Sequence, residues 1–331
     1  MIIIDDDKIF DTIKKYKPAS VALNAPEGLI HKIQITAKNI MDEFNIPAYI
    51  IMDTTWGSCD LNMNSAKILS ADLLFNIGHT INTDMPYNKV MMINAFDNIT
   101  FDGVIMKCIN ILKNKTVALS TNSQHLPQLN NVKKILRDNG INVKIGNGKG
   151  QLNDGQIFGC EFYPNTEIKN QIDANLFLGQ SNFHAIGIAL STNKPTYVLD
   201  PYFNEVTEIT DTAKKIQKRS ILTIYKASMS NNFGIIVGLK DGQISKTMAL
   251  KFKRELEKKG KSVQLFALTD ITNERLKNIH GVDAFIQVAC PRISMDNHFD
   301  KPVLSTPQAH ALLKILSNQD IDEYLQLPHW L

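Results

Sequence analysis

The sequence predicts an α/β protein of three similar small domains, each a roughly four-stranded parallel sheet flanked by helices, arranged with pseudo-threefold symmetry. Three observations carry this. Short apolar runs fall into three sets of four, and helix-patterned stretches separate most of them. The third run of each set begins near residues 72, 174 and 283, a period of roughly 100 residues, too long for a solenoid repeat and suited to a small α/β domain. One large doubly wound sheet is the competing arrangement for a chain of 331 residues.

The first set is SVALNAP, PAYIIMD, DLLFNIG and VMMINAF; the second is TVALST, NVKIG, NLFLGQ and PTYVLD; the third is FGIIVGL, SVQLFAL, DAFIQVA and KPVLS. These runs are continuously apolar and most end at Gly, Asp, Asn or Pro, the pattern of parallel strands covered on both faces. Helices are expected over Leu29–Phe44, Leu129–Asn139 and Ile244–Lys259, where apolar residues recur at threes and fours. The latter two stop at Gly140 and Gly260, where C-capping favours glycine. Strand–helix alternation of this kind builds parallel sheets through crossover helices. The domain divisions follow as 1–108, 109–218 and 219–331, with Cys59, Cys160 and Cys290 in successive domains.

Composition bounds the function. The chain is 44% hydrophobic and 21% charged, with 36 Lys plus Arg against 33 Asp plus Glu, so no basic excess implies direct nucleic-acid binding. The run Lys214-Lys215 to Lys218-Arg219 reads as a solvated helix face. No apolar run reaches the roughly 18 residues of a membrane span, and MIIIDDDKIF lacks the layout of a secretory signal, so a cytoplasmic location is expected. Four separated cysteines do not make a disulfide framework; packing, a nucleophile or a metal remain open. A P-loop and a G-x-G-x-x-G turn are both absent, and GNGKG at 146–150 is too irregular for either.

Cys59, Cys160 and Cys290 each fall where an apolar run gives way to a loop, and in open α/β sheets the carboxyl ends of strands grip ligands. Iron–sulfur cubanes usually take four cysteines, so three converging thiolates leave one iron open for chemistry. Cys59 and Cys160 follow the second strand of their sets, whereas Cys290 follows the third. Cys108, in GVIMKCINIL, reads as packing.

Other candidates sit at matching places. Arg292 follows Cys290 by two residues and offers a fork for a carboxylate, or else an ion pair with Asp296. Glu27 and Gly28 follow the first strand, where contact with a ligand and a helix-capping role compete. His79 and Gly179 end third strands. His184 opens the small-residue helix AIGIAL, whose positive end suits an anion. Asp200 precedes a proline and is either a contact or a turn residue. Gln243 mirrors Glu27 across the repeat.

The strings WGSCD (56–60), FGCEF (158–162), GQSNFHAIGIAL (179–190), LDPY (199–202), GLKDGQ (238–243) and QVACPRISMD (287–296) resemble the archaeal 2-(3-amino-3-carboxypropyl)histidine synthases of diphthamide biosynthesis, in order and over nearly the whole chain. The resemblance implies a homodimeric radical enzyme in which Cys59, Cys160 and Cys290 hold a [4Fe–4S] cluster beside S-adenosylmethionine. The reduced cluster, fed by an unidentified electron donor, cleaves the bond from sulfur to the methionine γ-carbon. The 3-amino-3-carboxypropyl group then passes to C2 of a histidine imidazole on translation elongation factor 2. Trp56, Ser58 and Asn182 depart from the family's usual Tyr, Ala and basic residue, and none is a cluster ligand. A quinolinate-synthase-like Lewis-acid enzyme, a non-catalytic electron-transfer subunit and a structural zinc protein are the alternatives.

Overall fold

The structure, a computed structural model, describes residues 2–81 and 89–331. All twelve expected strands are present. The first domain contributes β1 (Ile2–Ile4), β2 (Val21–Asn24), β3 (Ala48–Ile51), β4 (Leu73–Ile77), β5 (Val90–Ile93) and β6 (Ala95–Asp97). The second contributes β7 (Thr116–Thr121), β8 (Asn142–Lys144), β9 (Ala174–Leu178), β10 (Thr196–Asp200) and β11 (Glu205–Glu208), and the third β12 (Asn232–Gly238), β13 (Ser262–Leu268), β14 (Ala284–Gln287) and β15 (Val303–Leu304).

The three sheets share one topology. Their parallel orders are β3-β2-β4-β5, β8-β7-β9-β10 and β13-β12-β14-β15, so in each the second strand lies at one edge, beside the first. The repeat in the sequence is therefore a repeat of fold. The competing single sheet is not formed. Crossover helices Ile30–Phe44, Leu129–Asp138 and Lys246–Lys258 link the first and second strands of each set, which satisfies the requirement that parallel neighbours be joined by a long connection. Gly140 and Gly260 end the latter two at φ of +79° and +74°, the left-handed cap that glycine adopts without strain. Two features were not legible: β11 adds to β10 antiparallel, and β1 pairs with β6 antiparallel as a separate ribbon.

The core explains how the domains adhere. One apolar cluster runs through the second and third domains, from Phe162, Phe177 and Val198 to Phe233, Phe252, Ile286 and Trp330. The helix Thr210–Ser228 buries Ala213, Ile224 and Ala227 in it and so runs through the division expected at 218/219. The first domain has its own clusters, around Ile33 and Phe75 on one side and Leu61 and Met92 on the other. The helix Asp102–Leu112 packs Val104, Ile105, Cys108 and Leu112 against Val117 and Leu119. Residues 101–108, expected with the first domain, thus join the second. Cys108 is fully buried there, and burial pushes its thiol up to about 12, consistent with a packing role. Among the described residues no helix is long and apolar enough to cross a membrane.

The helix Asn182–Thr192 lies so close to the Phe162 ring that a Cβ on Gly187 would stand 2.3 Å from it. Gly187→Ala is expected to destabilise the fold by about 1–3 kcal/mol through overpacking, read as a lowered urea midpoint at unchanged m-value.

Candidate metal centre

The carboxyl ends of the three sheets are tied to one another by specific contacts. Between the first and second domains, the Ser123 hydroxyl donates to the Gly78 carbonyl at 3.0 Å and Gln156 Nε2 donates to the Thr80 carbonyl at 2.9 Å. Between the first and third, the Gly242 N–H donates to the Cys59 carbonyl at 2.8 Å and the Met63 N–H donates to Asp241 Oδ2 at 3.0 Å. Between the second and third, the Arg292 guanidinium stacks on the Phe183 ring at 4.0 Å.

Each cysteine is held differently. Cys290 is the N-cap of the short helix Pro291–Asp296; its carbonyl accepts from the Ile293 N–H at 3.1 Å and from Gln287 Nε2 at 2.8 Å. Cys59 follows β3 in a turn gripped by the third domain. A Cβ on Gly242 would come within 2.7 Å of Cys59 Cα and Cβ, so only glycine allows this approach. Cys160 departs from expectation. Its lead-in, GQIF, is no strand but a single bridge from Gln156 to Thr121, and Cys160 itself sits in a bend before the helix Tyr163–Glu167.

The three thiols are partly buried, unpaired in disulfides, and repel one another when charged. Burial pushes Cys290 up to about 11 and Cys160 well above the ordinary thiol range, with the neighbouring thiolates adding to the rise at Cys160. Burial also raises Cys59, against a lowering contribution from the 3.5 Å hydrogen bond that Gln243 Nε2 donates to its sulfur. Three neutral thiols crowded together become thiolates only when a cation neutralises them. Among the described residues no group of three or more His, Cys, Asp or Glu side chains is close enough to hold a single metal ion. The donor set fits a cluster, with no fourth cysteine beside it, since Cys108 is sealed in the second domain's core.

Polar groups with unmet bonding face this region. Arg292 is 4% exposed and gives Nε to Asp296 at 2.9 Å, yet its Nη1 has no hydrogen-bond partner. Of the two readings of this residue, the ion pair with Asp296 is formed. Burial and the Arg292 charge push His184 down to about 3, and burial pushes His79 to about 4, so both imidazoles are neutral with unpartnered Nδ1 atoms. His184 stacks on Phe177 at 5.7 Å and meets Phe183 edge-on. Gly179 ends β9 at φ +139°, a conformation open to glycine, with its Cβ position filled by the Phe177 ring at 3.2 Å.

The remaining candidates lie elsewhere. Glu27 opens an exposed 3₁₀ turn and accepts from Thr54 Oγ1 at 3.2 Å, while a side chain at Gly28 would enter open space. Asp200 Oδ1 accepts from the Tyr202 and Phe203 N–H groups at 2.8 and 3.1 Å, the geometry of a turn residue. Its electrostatic neighbours are His125 and Tyr202. Sequence reasoning missed Asp60 and Lys240. Lys240 Nζ lies 2.7 Å from Asp60 Oδ2 with exposures of only 12% and 3%, so a buried ion pair joins the first and third domains one residue from Cys59. Each lay inside a quoted motif, but neither motif says that the two meet.

Known proteins resemble this chain over nearly its whole length. The family model of diphthamide synthesis proteins matches residues 25–325. The 2-(3-amino-3-carboxypropyl)histidine synthase of Pyrococcus horikoshii is 28% identical, covering 98% of this chain and 94% of that one. Subunit 1 of the corresponding synthase of Caenorhabditis elegans is 30% identical over 90% of this chain and 75% of its own length. The crystal structure of Dph2 from Pyrococcus horikoshii with a 4Fe-4S cluster superposes with a TM-score of 0.85 at 26% identity, covering 98% of this chain and 95% of that one.

Removing one partner of a buried ion pair leaves an uncompensated charge, so Lys240→Met is expected to cost about 3–5 kcal/mol in denaturant unfolding. Adding Asp60→Asn in the same chain should return part of that loss, which a double-mutant cycle measures.

Proposed function

The chain belongs to the diphthamide synthesis protein family, and from that premise we propose that it transfers the 3-amino-3-carboxypropyl group of S-adenosylmethionine to C2 of a histidine imidazole on translation elongation factor 2. It is a transferase of the first diphthamide step, related over almost its full length to a named synthase and to a structure carrying a 4Fe-4S cluster. The observation that carries the reading is the three partly buried, mutually repelling thiols of Cys59, Cys160 and Cys290, one from each domain.

In this proposal those three cysteines hold a [4Fe–4S] cluster. Bound there, the cluster would supply one electron to the sulfonium and an iron without a protein ligand. The protein contributes orientation and exclusion of water. Arg292 Nη1, desolvated and unpartnered, is placed to receive the methionine carboxylate, with Asp296 and the Phe183 ring fixing the fork. His79 and His184, held neutral by burial, line the pocket without adding charge that would oppose the sulfonium. Gln243 donates to Cys59 sulfur, a bond of the kind that tunes cluster potential. Glu27, Gly28 and Asp200, engaged or exposed elsewhere, take no part in this reading, and Gly179 only shapes the end of β9. In net chemistry the S–Cγ bond breaks, the Cγ–C2 bond forms, the imidazole C2 proton is lost to solvent, and 5′-methylthioadenosine leaves. The electron lent to the sulfonium is recovered as the imidazole regains aromaticity, so the transfer is redox-neutral overall. Dimerisation, a cytoplasmic location and a separate electron donor belong to the same proposal.

The test is anaerobic incubation of the reduced protein with S-adenosylmethionine and elongation factor 2. Formation of 5′-methylthioadenosine together with a histidine bearing the aminocarboxypropyl group is expected. Intact S-adenosylmethionine would instead favour Lewis-acid or electron-carrier chemistry.

Arg292→Lys keeps the charge and loses the fork, so its dissociation constant for S-adenosylmethionine should rise about 10-fold or more in anaerobic calorimetry. Unchanged affinity would remove Arg292 from the carboxylate site.

A further inference from the structure

Cys160 differs from the other two cysteines in how it is held. Cys290 caps a helix, and Cys59 is gripped by the turn at Gly242. Cys160 lies in a bend closed locally by the Phe158 N–H donating to the Glu161 carbonyl at 3.0 Å, and the long-range contacts on this backbone come from residues about 170 positions later in the sequence. The Trp330 N–H donates to the Cys160 carbonyl at 3.1 Å, and the Phe162 N–H donates to the Pro328 carbonyl at 2.8 Å. Together they form an antiparallel bridge between Glu161 and His329, whose side chains are also paired.

The segment that provides this bridge is itself firmly rooted. Trp330 is 1% exposed, its ring meets Phe162 at 4.7 Å and 62°, and its Nε1 donates to the Leu325 carbonyl at 3.0 Å. Just before it, Ile321, Tyr324 and Leu325 sit in the shared core, with the Tyr324 hydroxyl 2.6 Å from Ser220 Oγ. Phe162, two positions from Cys160, is clamped between Trp330 and the close approach of Gly187. A bend closed by one local bond resists displacement less than a ladder or helix does, so these two long-range backbone bonds and the indole hold the chain that carries the thiol.

We propose that residues 328–330 form a strap that positions Cys160 in the metal centre, with Trp330 as its positioning residue. The strap rests on the reading of Cys160 as a cluster ligand. Trp330 touches neither cluster nor substrate; it acts through the backbone of Cys160. The third domain thereby holds the cysteines of both other domains, Cys59 through Gly242 and Cys160 through Trp330.

The experiment is alkylation of the full-length, metal-free protein by iodoacetamide at fixed pH, with each cysteine followed separately by peptide mass spectrometry. Trp330→Ala should raise the rate at Cys160 by roughly tenfold, as expected when two backbone hydrogen bonds and their supporting packing are loosened locally. Cys59 and Cys290 should keep their rates. Cys108, sealed in the second domain's core, reports global unfolding and should stay protected. Trp330→Phe, which keeps the backbone bond and most of the ring contact, should restore the wild-type rate at Cys160. After anaerobic reconstitution, Trp330→Ala should also show an altered electron paramagnetic resonance line shape that Trp330→Phe does not. An unchanged rate at Cys160, or a parallel rise at Cys108, would overturn the strap. Full iron retention by Cys160→Ala would instead overturn the ligand assignment while leaving the alkylation result standing, so the two failures are distinguishable.

Discussion

The site depends on holding three thiols together that no single element carries. Each belongs to a separate domain, burial favours the protonated form of each, and neighbouring thiolates add to the cost at Cys160 and Cys290. Nothing local in any one domain favours this arrangement. The third domain supplies the restraint: the buried Lys240–Asp60 pair and the glycine approach at Gly242 seize the Cys59 turn, and the chain beyond Leu325 seizes the Cys160 bend. The second and third domains also share one apolar core, whereas the first has clusters of its own. Polar contacts of exact placement thus carry more of the first domain's attachment at the site, and such contacts fix orientation better than apolar burial does.

That arrangement couples the metal centre to domain packing. A cluster bound by all three cysteines would add its own binding energy to the same interfaces. On this proposal a substitution at Lys240 or Trp330 would act on the centre without touching it, through the chain that carries Cys59 or Cys160. Arg292 near the thiols is held on the same principle. An ion pair and an aromatic face hold its guanidinium, and its Nη1 is left without a hydrogen-bond partner.

Much of the fold was legible because parallel strands covered on both faces are written as unbroken apolar runs. Leu73–Ile77 and Ala174–Leu178 are buried at every position, and both were readable as strands. Short, exposed additions were not: β11 is the polar string Glu205–Glu208, and β1 is three residues long. The division at 218/219 failed to respect the helix Thr210–Ser228 because a basic, solvated face hides the few apolar residues that anchor it. At the site, Gln243 could be inferred from the repeat alone and does reach Cys59. Asp200 gave an ambiguous signal, and its carboxylate is engaged by the turn that follows. Lys240 and Trp330 were invisible because their importance lies in partners roughly 170 to 180 residues away, a relation that no local pattern encodes.

The most direct measurement is the iron and acid-labile sulfide content of the anaerobically reconstituted chain, with its electron paramagnetic resonance spectrum after dithionite. Cys59→Ala, Cys160→Ala and Cys290→Ala would be measured beside it, and Cys108→Ala as control. The account predicts about four irons and four sulfides per chain with a reduced cubane signal. It predicts loss of that cluster in each of the three variants and its retention in Cys108→Ala. A chain that binds no iron, or a cluster that survives loss of any of the three cysteines but not of Cys108, would contradict it.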